Sequence, residues 1–502
     1  MDVLAATASP LRANLAVAGY GLITTLLVWW LVSAVRQYRR LRHIPGPPLA
    51  PFSNFWFFRK NATGRTHLDF LDTCNRYGPI VRVGPKSVLT NDPDLMRKVW
   101  GVRSDYKKAE WYRGVRFNGR TDNMVSQRDE PKHMALRSKL AIGYSGKEVE
   151  SLESKVDTQI LAFIKLLETK YVSQNKAFDF AHKSMFLTLD VLSDVAFSRP
   201  FGFLEADSDL FNYIETLAQN VPFIFPMNAF PWMVSFLQSP LLRVLMPSDK
   251  DRTGLGPVIN IANQVAAERF GPDKQVHRDM LGSFVRHGVT QEEAESESLL
   301  QIIAGSDTTA GAIRVGMLYA LTQPRVFGSL RREIFSRKTS SPVVTDAEAR
   351  DMPYLQAFIK EGLRIQPPSA GTFMPRVVGP QGDTWKGVYF PPGTEIGVCQ
   401  VGFMRRPDIW GDDAEVFRPE RWLEASPEKV REMDGAVDLA FGFGRWSCLG
   451  RNLASMELNK VFVELIRRFD FVIMNPEHPW KSTNAGIFVT SDFWLKAYPV
   501  RT

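Results

Sequence analysis

An uncharged run of 21 residues near the N-terminus restricts what this part of the chain can form. It reads LAVAGYGLITTLLVWWLVSAV and extends from Leu15 to Val35. A helix needs about 20 apolar residues to cross a bilayer, so the run is long enough to span one. Four arginines follow it between residues 36 and 42. By the positive-inside rule, they predict that the rest of the chain lies on the cytoplasmic side.

A cleaved signal peptide is the alternative for the same residues. Its apolar region is usually shorter, and its positive charges come before that region. The longer run and the arginines after it therefore favour a membrane anchor at residues 1–43. The next stretch, IPGPPLAP at 44–51, predicts a stiff elbow, because proline fixes φ and disfavours helix in the residue before it. No internal repeat follows, and residues 52–502 are expected to form one large domain.

Charge and cysteine content narrow the class of protein. The chain has 502 residues, a formal net charge of +8 and three cysteines, Cys74, Cys399 and Cys448. So few cysteines, in odd number, are unlike a disulfide-stapled secreted fold and fit a reducing compartment. The positive charge is compatible with nucleic acid, an anionic membrane or an acidic protein. Because the chain carries no nucleic-acid motif, we expect a membrane or a protein partner and no nucleic acid.

Apolar periodicity predicts more helices than strands. β-branched residues between turns predict a hairpin in Tyr77–Asp92 and a strand-rich patch in Met374–Cys399. Because the helices do not alternate regularly with strands, we expect an α-rich α+β domain. The long helical runs are Lys147–Lys170, Phe186–Phe197, Gly256–Phe270 and Thr290–Leu321.

The motif AGSDTT, from Ala304 to Thr309, interrupts the last of these helices. A capping box at Thr290–Glu293 marks the start of that helix, and apolar residues flank the motif. Glycine, aspartate and threonine are poor choices for a buried helix interior. Such a conflict with local preference is typical of a functional site, and an exposed polar face is the alternative.

Two further motifs place charges close together. In EGLR, Glu361 and Arg364 lie on one helix face, where the pair alone would be an ordinary surface ion pair. In FRPERW, Arg421 could join them to form a Glu–Arg–Arg network.

The glycine-rich loop FGFGRWSCLG, which begins at Phe441, holds one of the cysteines. Its three glycines allow tight turns and close approach of the backbone to a flat ligand. Cys448 precedes an amphipathic helix, and we expect Arg445, the turn amides and the helix dipole to lower its pKa. With no histidine placed as a base, a metal ligand is favoured over a nucleophile. One cysteine does not hold zinc or an iron–sulfur cluster, whereas haem needs one axial protein ligand.

The order and separations of four motifs resemble those of the cytochrome P450 superfamily. The motifs are AGSDTT, EGLR, FRPERW and FGFGRWSCLG. The resemblance extends from about residue 15 to the end, and is strongest to microsomal enzymes of filamentous fungi of the pisatin-demethylase-like kind. It implies the cytochrome P450 fold and a haem b cofactor. It also implies a monooxygenase of the endoplasmic reticulum membrane that inserts one atom of O2 into a lipophilic small molecule, in secondary metabolite biosynthesis. Electrons would come from NADPH through NADPH-cytochrome P450 reductase.

The resemblance also assigns roles to residues around the haem. Cys448 would be the proximal thiolate ligand of the iron. Asp307 and Thr308 would deliver protons on the distal side, where Gly305 would leave room for dioxygen. The other cofactor-binding residues that it implies are Arg137, His133, Arg376, Arg445 and Phe441.

One position departs from the family pattern. Members usually carry arginine or histidine two residues before the cysteine, and this chain has Trp446 there, with Arg445 one residue earlier. Arg445 is expected to reach a haem propionate, and Trp446 would otherwise shield the haem edge. His133 stands where many members have tryptophan. Behind the haem, Glu361, Arg364 and Arg421 would form a structural network.

Two other functions remain open. One is a haem-thiolate isomerase or dehydratase that needs no external electrons, and the other is a non-catalytic haem-binding membrane protein. The presence of Asp307 and Thr308 favours the monooxygenase, because such isomerases often lack this pair. The apolar segment Val221–Pro247 matches the region where the family has a membrane-facing loop for substrate access.

Overall fold

Helices dominate the protein. The structure is a computed structural model that describes residues 3–117, 119–242, 246–252 and 254–500. The α-helices are α1 Val3–Arg40, α2 Phe55–Asn61, α3 Thr66–Tyr77, α4 Pro93–Trp100, α5 Glu130–Tyr144, α6 Leu152–Leu166, α7 Phe180–Phe197, α8 Phe203–Ala206, α9 Tyr213–Met227, α10 Pro231–Leu237, α11 Gly256–Ala267, α12 Met280–Arg286, α13 Gln291–Thr322, α14 Pro324–Ser336, α15 Asp346–Arg350, α16 Pro353–Ile365, α17 Gln400–Phe403, α18 Pro407–Trp410, α19 Arg421–Glu424, α20 Pro427–Val437 and α21 Arg451–Arg468.

Shorter elements complete the chain. The 3₁₀ turns are Glu110–Val115, Leu210–Asn212, Asp438–Phe441 and Gly444–Trp446, and a π-helical turn covers Leu167–Val172. The strands are β1 Ile80–Arg82, β2 Ser87–Thr90, β3 Lys107–Lys108, β4 Phe178–Asp179, β5 Arg376–Val377, β6 Asp383–Trp385, β7 Val388–Phe390, β8 Glu395–Val398, β9 Phe469–Ile473, β10 Lys481–Asn484, β11 Phe488–Ser491 and β12 Trp494–Pro499.

The strands form small sheets at the margin of the helices. Five of them make a mixed sheet in the order β1-β2-β8-β5-β3, in which β2 and β8 run parallel with Ser87 opposite Glu395. A second sheet has the order β4-β12-β9, and β6–β7 and β10–β11 are hairpins. The predicted hairpin at Tyr77–Asp92, the strand-rich patch and the α-rich α+β class are confirmed.

The long helix α13 runs through the core. With 32 residues it extends about 48 Å, and it packs against α7, α11, α16 and α21. The predicted capping box is present: Thr290 accepts from the backbone of Glu293, and the Glu293 carboxylate accepts from the backbone of Thr290. The other predicted helical runs correspond to α6, α7 and α11. Because α13 crosses the whole domain, residues in its middle lie deep inside the protein.

The N-terminal helix is attached to the domain at its C-terminal end. The described side chains of Leu15–Val35 are mostly exposed, and Val17–Arg40 is long and apolar enough to cross a membrane. Buried Arg82 donates to the carbonyls of Gln37 (2.9 Å) and Tyr38 (3.1 Å), which lie in the last turns of α1. The elbow at 44–51 contains no helix. The boundaries 1–43, 44–51 and 52–502 stay predictions.

Candidate active site

A cavity of about 340 Å³ lies between the middle of α13 and the loop that precedes α21. Ala304, Gly305 and Thr308 border it from α13, and Phe441 and Cys448 border it from the loop. The remaining walls come mainly from apolar side chains of several helices. Of the predicted site residues, His133, Arg137 and Arg376 also border this cavity, so the fold gathers residues that are up to 315 positions apart in sequence, from His133 to Cys448.

The cysteine loop is shaped by tight turns. Gly442 and Gly444 adopt φ of 74° and 61°, and a Cβ at Gly444 would lie 2.3 Å from the Trp100 carbonyl oxygen. Only glycine fits such a position without displacing the backbone. The Cys448 N–H donates to the Phe441 carbonyl (2.7 Å), which closes the loop just before α21. The Cys448 side chain is thereby presented to the cavity.

The prediction that the protein lowers the pKa of Cys448 is wrong when only the surrounding protein groups are considered. Burial raises the pKa of the thiol, and this outweighs the backbone N–H groups of Gly450 and Arg451 and the guanidinium of Arg137. Arg445, expected to stabilise a thiolate, is not among these groups because it points elsewhere. Coordination to a metal ion removes the proton from a thiol of this kind outright.

The guanidinium of Arg445 lies outside the cavity wall. It donates to the carbonyls of Ser104 (2.8 Å) and Tyr106 (3.0 Å), and its Cζ sits 4.3 Å from the centre of the Trp446 ring. Trp446 borders the cavity instead, and the Cζ of Arg376 also lies 4.3 Å from the centre of its ring. Arg376 borders the cavity as well, and the structure does not bring Arg445 to it.

Positive charge collects at one end of the cavity. Lys108 donates to the carbonyls of Met124 and Val125 (2.9 Å each), and Arg137 donates to the Ser447 carbonyl and hydroxyl (2.9 Å each). Arg376 bonds Tyr112 and the carbonyls of Met374 and Pro375. Across the described residues, no carboxylate forms an ion pair with any of these three cations.

Unpartnered N–H groups lie beside these cations. Arg376 Nε and Trp446 Nε1 are buried and make no hydrogen bond to the described residues. His133 Nδ1 also makes none, and it lies 3.9 Å from the carboxylate of Glu130. Burial, followed by the charges of Lys108 and Arg137, lowers the pKa of His133 to about 3, so its ring is neutral. Buried polar groups are normally hydrogen-bonded, so unpaired cations and N–H donors together indicate an anionic ligand at this end.

The two adjacent residues predicted for proton delivery face different ways. Thr308 borders the cavity and donates to the Ala304 carbonyl (2.9 Å). Asp307 is buried behind it and pairs with Arg314 (2.9 Å), which also bonds Ala181 and Ser184 of α7. Burial raises the pKa of Asp307, and Arg314 opposes that rise. The structure brings Thr308 to the cavity and leaves Asp307 outside it.

Gly305 borders the cavity and also packs closely against α7. A Cβ at this position would lie 3.1 Å from Cδ2 of Leu192. The missing side chain therefore opens space on the cavity side and permits tight contact between the two helices.

The predicted Glu–Arg–Arg network is present and fully buried. Arg364 forms a two-point bond to Glu361 (2.7 and 2.8 Å), and Arg421 reaches the same carboxylate at 3.2 Å. Arg364 also donates to three backbone carbonyls, and Arg421 pairs with Asp413 (3.1 Å). An ordinary surface ion pair, the alternative for EGLR alone, is excluded by this burial.

Some residues of the cavity carried no sequence signal. Lys108 and Tyr112 come from an irregular stretch whose position depends on β3 and a 3₁₀ turn. Gln301 and Glu457 also border the cavity, on helices where they read as ordinary polar positions. Burial raises the pKa of Glu457 well above its usual range. The helical spacing between Gln301 and Thr308 is the only sequence signal, and it indicates that Gln301 and Thr308 share a face of α13.

Comparison with known proteins places this geometry in a family. The sequence profile of cytochrome P450 matches residues 44–493. The chain belongs to the cytochrome P450 family. A crystal structure of the cytochrome P450DA haem domain superposes with a TM-score of 0.70 at 18% identity, covering 87% of this chain and 93% of that one. The cytochrome P450 fold is thus shown independently of close sequence similarity.

Curated relatives of this cytochrome P450 are fungal monooxygenases. It is 39% identical to cytochrome P450 monooxygenase ABA1 of Pyricularia oryzae, over 95% of this chain and 96% of that one. It is 37% identical to aba1 of Botryotinia fuckeliana, over 91% of each chain. The protein is accordingly a cytochrome P450 monooxygenase, an oxidoreductase of a family that carries haem.

The cavity residues fit such a cofactor. Haem is flat, has one axial position for a protein thiolate, and carries two acidic side groups at one edge. The cavity offers Cys448 on one wall, small residues Ala304 and Gly305 opposite, and unpaired cations with unpartnered N–H groups at one end. The donor set thus matches both the metal and the charged edge of the ligand.

Proposed function

We propose that this protein is a membrane-anchored monooxygenase that inserts one oxygen atom from O2 into a lipophilic small molecule, in fungal secondary metabolism. Electrons come from NADPH through NADPH-cytochrome P450 reductase, and the balance is substrate, O2, NADPH and H⁺ to hydroxylated product, water and NADP⁺. The observation that carries the proposal is Cys448 facing Thr308 across one cavity with unpaired cations at its end.

The cofactor in this proposal is haem b, with Cys448 as axial ligand. When bound, it supplies the activation of O2. Arg137, Arg376 and Trp446 would hold its acidic edge, because their cationic or N–H groups lack carboxylate partners among the described residues. His133, whose Nδ1 lies 3.9 Å from the Glu130 carboxylate, would contact the same edge. Phe441 lies at the start of the ligand loop and borders the same space. Arg445 acts only through the Trp446 ring that it covers.

On α13, Thr308 presents a hydroxyl to the cavity. Its O–H donates to the Ala304 carbonyl, and its oxygen keeps lone pairs for water in the cavity. Asp307 can deliver protons only if it separates from Arg314. While this pair is intact, Asp307 helps to fix α13 against α7. The predominantly apolar lining suits a lipophilic substrate.

The proposed location is the cytoplasmic face of the endoplasmic reticulum membrane. Support comes from the apolar part of α1 and from a second apolar surface on α9 and α10. Phe223 and Trp232 are about 70% exposed there, and Phe236 and Leu241 are also exposed. This surface lies within the predicted apolar segment Val221–Pro247, of which residues 243–245 are outside the described residues. Within this segment α9 continues through Pro222 and Pro226 and ends at Met227.

The test of the reaction compares metabolites of the native host with and without the gene by mass spectrometry. Microsomes that contain the protein and the reductase should convert the accumulated precursor only with NADPH, and the product should take up labelled oxygen from O2. Conversion without NADPH would instead show the isomerase or dehydratase. A protein that changes no metabolite and consumes no oxygen would be a non-catalytic haem-binding protein.

The test of the location removes residues 1–43. Most of the protein should then leave the membrane fraction, with residual binding through the α9–α10 surface, because an exposed apolar patch can lie in the interface. Protection of the full-length catalytic domain from protease in intact microsomes would show the opposite topology.

A further inference from the structure

A line of polar side chains follows one face of α13 from the protein surface to the cavity. Its members are Glu293, Glu297, Gln301 and Thr308, with Gly305 between the last two. Glu293, Glu297 and Gln301 are spaced four residues apart, so each lies one turn from the next, and Thr308 lies two turns beyond Gln301, past Gly305. Glu293 is about one quarter exposed, Glu297 and Gln301 are buried, and Thr308 borders the cavity. The line therefore connects solvent with the site.

Two oxygens in this line lack hydrogen-bond partners. The Glu297 carboxyl accepts from the Met124 N–H through Oε1 (2.5 Å), while Oε2 is buried without a partner. One turn along, Oε1 of Gln301 is also buried and unpartnered. Two acceptors on neighbouring turns cannot satisfy each other. A proton on Glu297 Oε2 turns it into a donor, which is the group that the Gln301 oxygen lacks.

The surroundings of Glu297 favour this protonated form. Burial, opposed by the Met124 N–H and the charge of Lys108 and assisted slightly by the Glu293 carboxylate, raises its pKa to about 8. Tyr144 of α5 lies close enough for the Glu297 charge to raise its own pKa. Glu297 therefore carries a proton at neutral pH. Lys108 lies close enough to lower the pKa of Glu297, but burial also lowers the pKa of Lys108 well below its usual range, so Lys108 is not a fixed compensating charge.

Asp307 offers no comparable route in this arrangement. Its carboxylate is bonded to Arg314 on the far side of α13, whereas Ala304 and Gly305 leave open cavity between Gln301 and Thr308. About 10 Å of helix separates Gln301 from Thr308, a span that a short file of water molecules covers. The side-chain amide of Gln301 stands at the end of that space.

We propose that Glu297 supplies protons to the O2-reducing face of the cavity, through water ordered by Gln301 and the hydroxyl of Thr308. This inference rests on the proposed function. In each cycle Glu297 gives up one proton, becomes a carboxylate and is reprotonated from solvent at the Glu293 end. The net reaction and its electron balance are unchanged. Glu297 does not touch the substrate and acts through the groups that follow it.

The test uses full-length holoenzyme in microsomes with the reductase, NADPH and O2, without added substrate. Under these conditions two NADPH, two H⁺ and one O2 give two water molecules when protons are supplied fast enough for O–O cleavage. When they are not, one NADPH, one H⁺ and one O2 give hydrogen peroxide. In Glu297→Gln, which keeps the acceptor for the Met124 N–H, we expect water formation to slow about 100-fold, the low end of what a positioned acid contributes. Peroxide release per NADPH should rise. Glu295→Gln, the same change at a more exposed position of α13, is the matched control.

The pH profile separates proton supply from a structural role. Wild-type water formation should fall as pH rises through about 8, where Glu297 loses its proton, and Glu297→Gln should lack that step. Gln301→Met leaves the carboxyl in place and should give the same rise in peroxide. A wild-type ratio of peroxide to NADPH and an unchanged profile in Glu297→Gln would overturn the proposal, as would quantitative peroxide release by the wild type. In the resting holoenzyme without NADPH, the infrared band of a protonated carboxyl should titrate away as pH rises through about 8 and be missing in Glu297→Gln, and its absence from the wild type would also overturn the proposal. Failure of the wild type to convert its precursor with NADPH would overturn the proposed function itself, and this inference with it.

Discussion

Two groups of arginines inside this protein have opposite surroundings. Behind the cavity, Arg364 and Arg421 share the carboxylate of Glu361 and bond backbone carbonyls, and Asp413 adds a second carboxylate. At the end of the cavity, Arg137 and Arg376 bond carbonyls and hydroxyls and have no carboxylate within the described part of the chain. The first group is neutralised by the protein, and the second is not.

The difference separates residues that stabilise the fold from residues that await a ligand. A buried charge is costly unless it is paired, so an unmatched cluster lowers stability until an anion binds. The complete network has no capacity left for a ligand. Cations without carboxylate partners therefore indicate the functional end of the cavity more directly than residue type does.

The largest expected effect comes from breaking the complete network. Glu361→Gln leaves two guanidinium groups buried with one fewer charge partner, and removal of one member of a buried pair typically costs about 3–5 kcal/mol. The measurement is the free energy of unfolding in urea, together with the yield of haem-loaded protein.

A matched pair on the surface provides the control. Glu428 and Arg431 have the same three-residue spacing, but both are largely exposed. Glu428→Gln should produce no measurable change in stability. Equal effects of the two substitutions would show that burial does not distinguish the network from an ordinary helix pair.

An intermediate effect is expected at the unmatched cluster. Arg376→Met removes a cation without leaving a buried carboxylate, so the protein without haem should be as stable as wild type or more stable. Haem should be lost faster by roughly 10–100-fold, which corresponds to the loss of one charge-assisted hydrogen bond of about 1.5–3 kcal/mol. Transfer of haem to excess apomyoglobin, followed by absorbance, measures that rate.

Arg445→Met is the control for this change. Arg445 covers the same Trp446 ring at the same 4.3 Å, but from outside the cavity. It should leave haem transfer near the wild-type rate. Faster haem loss in Arg445→Met than in Arg376→Met would place the acidic edge of the haem on the other side of the indole.

The smallest expected change in stability comes from Thr308 and its neighbour Asp307. Thr308 borders the cavity, whereas Asp307 is paired with Arg314 inside the protein. Thr308→Ala loses one hydrogen bond to a helix carbonyl, worth about 0.5–1.5 kcal/mol, whereas Asp307→Asn weakens the buried pair with Arg314. Thr308→Ala should nevertheless release more peroxide per NADPH, with little change in substrate binding. Unfolding curves and peroxide assays on both variants check this, and unchanged coupling in Thr308→Ala would remove its proton-relay role.

Much of this site could be predicted from local sequence. Cys448, Thr308 and the Glu361–Arg364–Arg421 network lie in motifs whose spacing fixes their geometry, since each motif sits on one turn or one helix. The directions of Asp307 and Arg445 were harder to predict. Each lies next to a residue that does face the cavity, and partners distant in the sequence, Ala181 for Arg314 and Ser104 for Arg445, determine where the side chain points.

The fold could be predicted from the sequence to a similar extent. Periodicity identifies α13 and the β1–β2 hairpin, because both are local patterns with clear start and stop residues. It does not reveal that β8 pairs in parallel with β2, or that Lys108 reaches the cavity, because these depend on chain crossings over hundreds of residues. The raised pKa of Cys448 likewise follows from burial by the whole domain.

The central claim is that Cys448 is the axial thiolate of a bound haem, and the absorption spectrum of the reduced protein under carbon monoxide tests it most directly. The wild type should show the long-wavelength Soret band that thiolate ligation produces, and Cys448→Ala should lose it. Cys399→Ala, a change at a buried cysteine that does not border the cavity, should keep the band. Persistence of the band in Cys448→Ala would contradict the assignment of the ligand and the account of the cavity built on it.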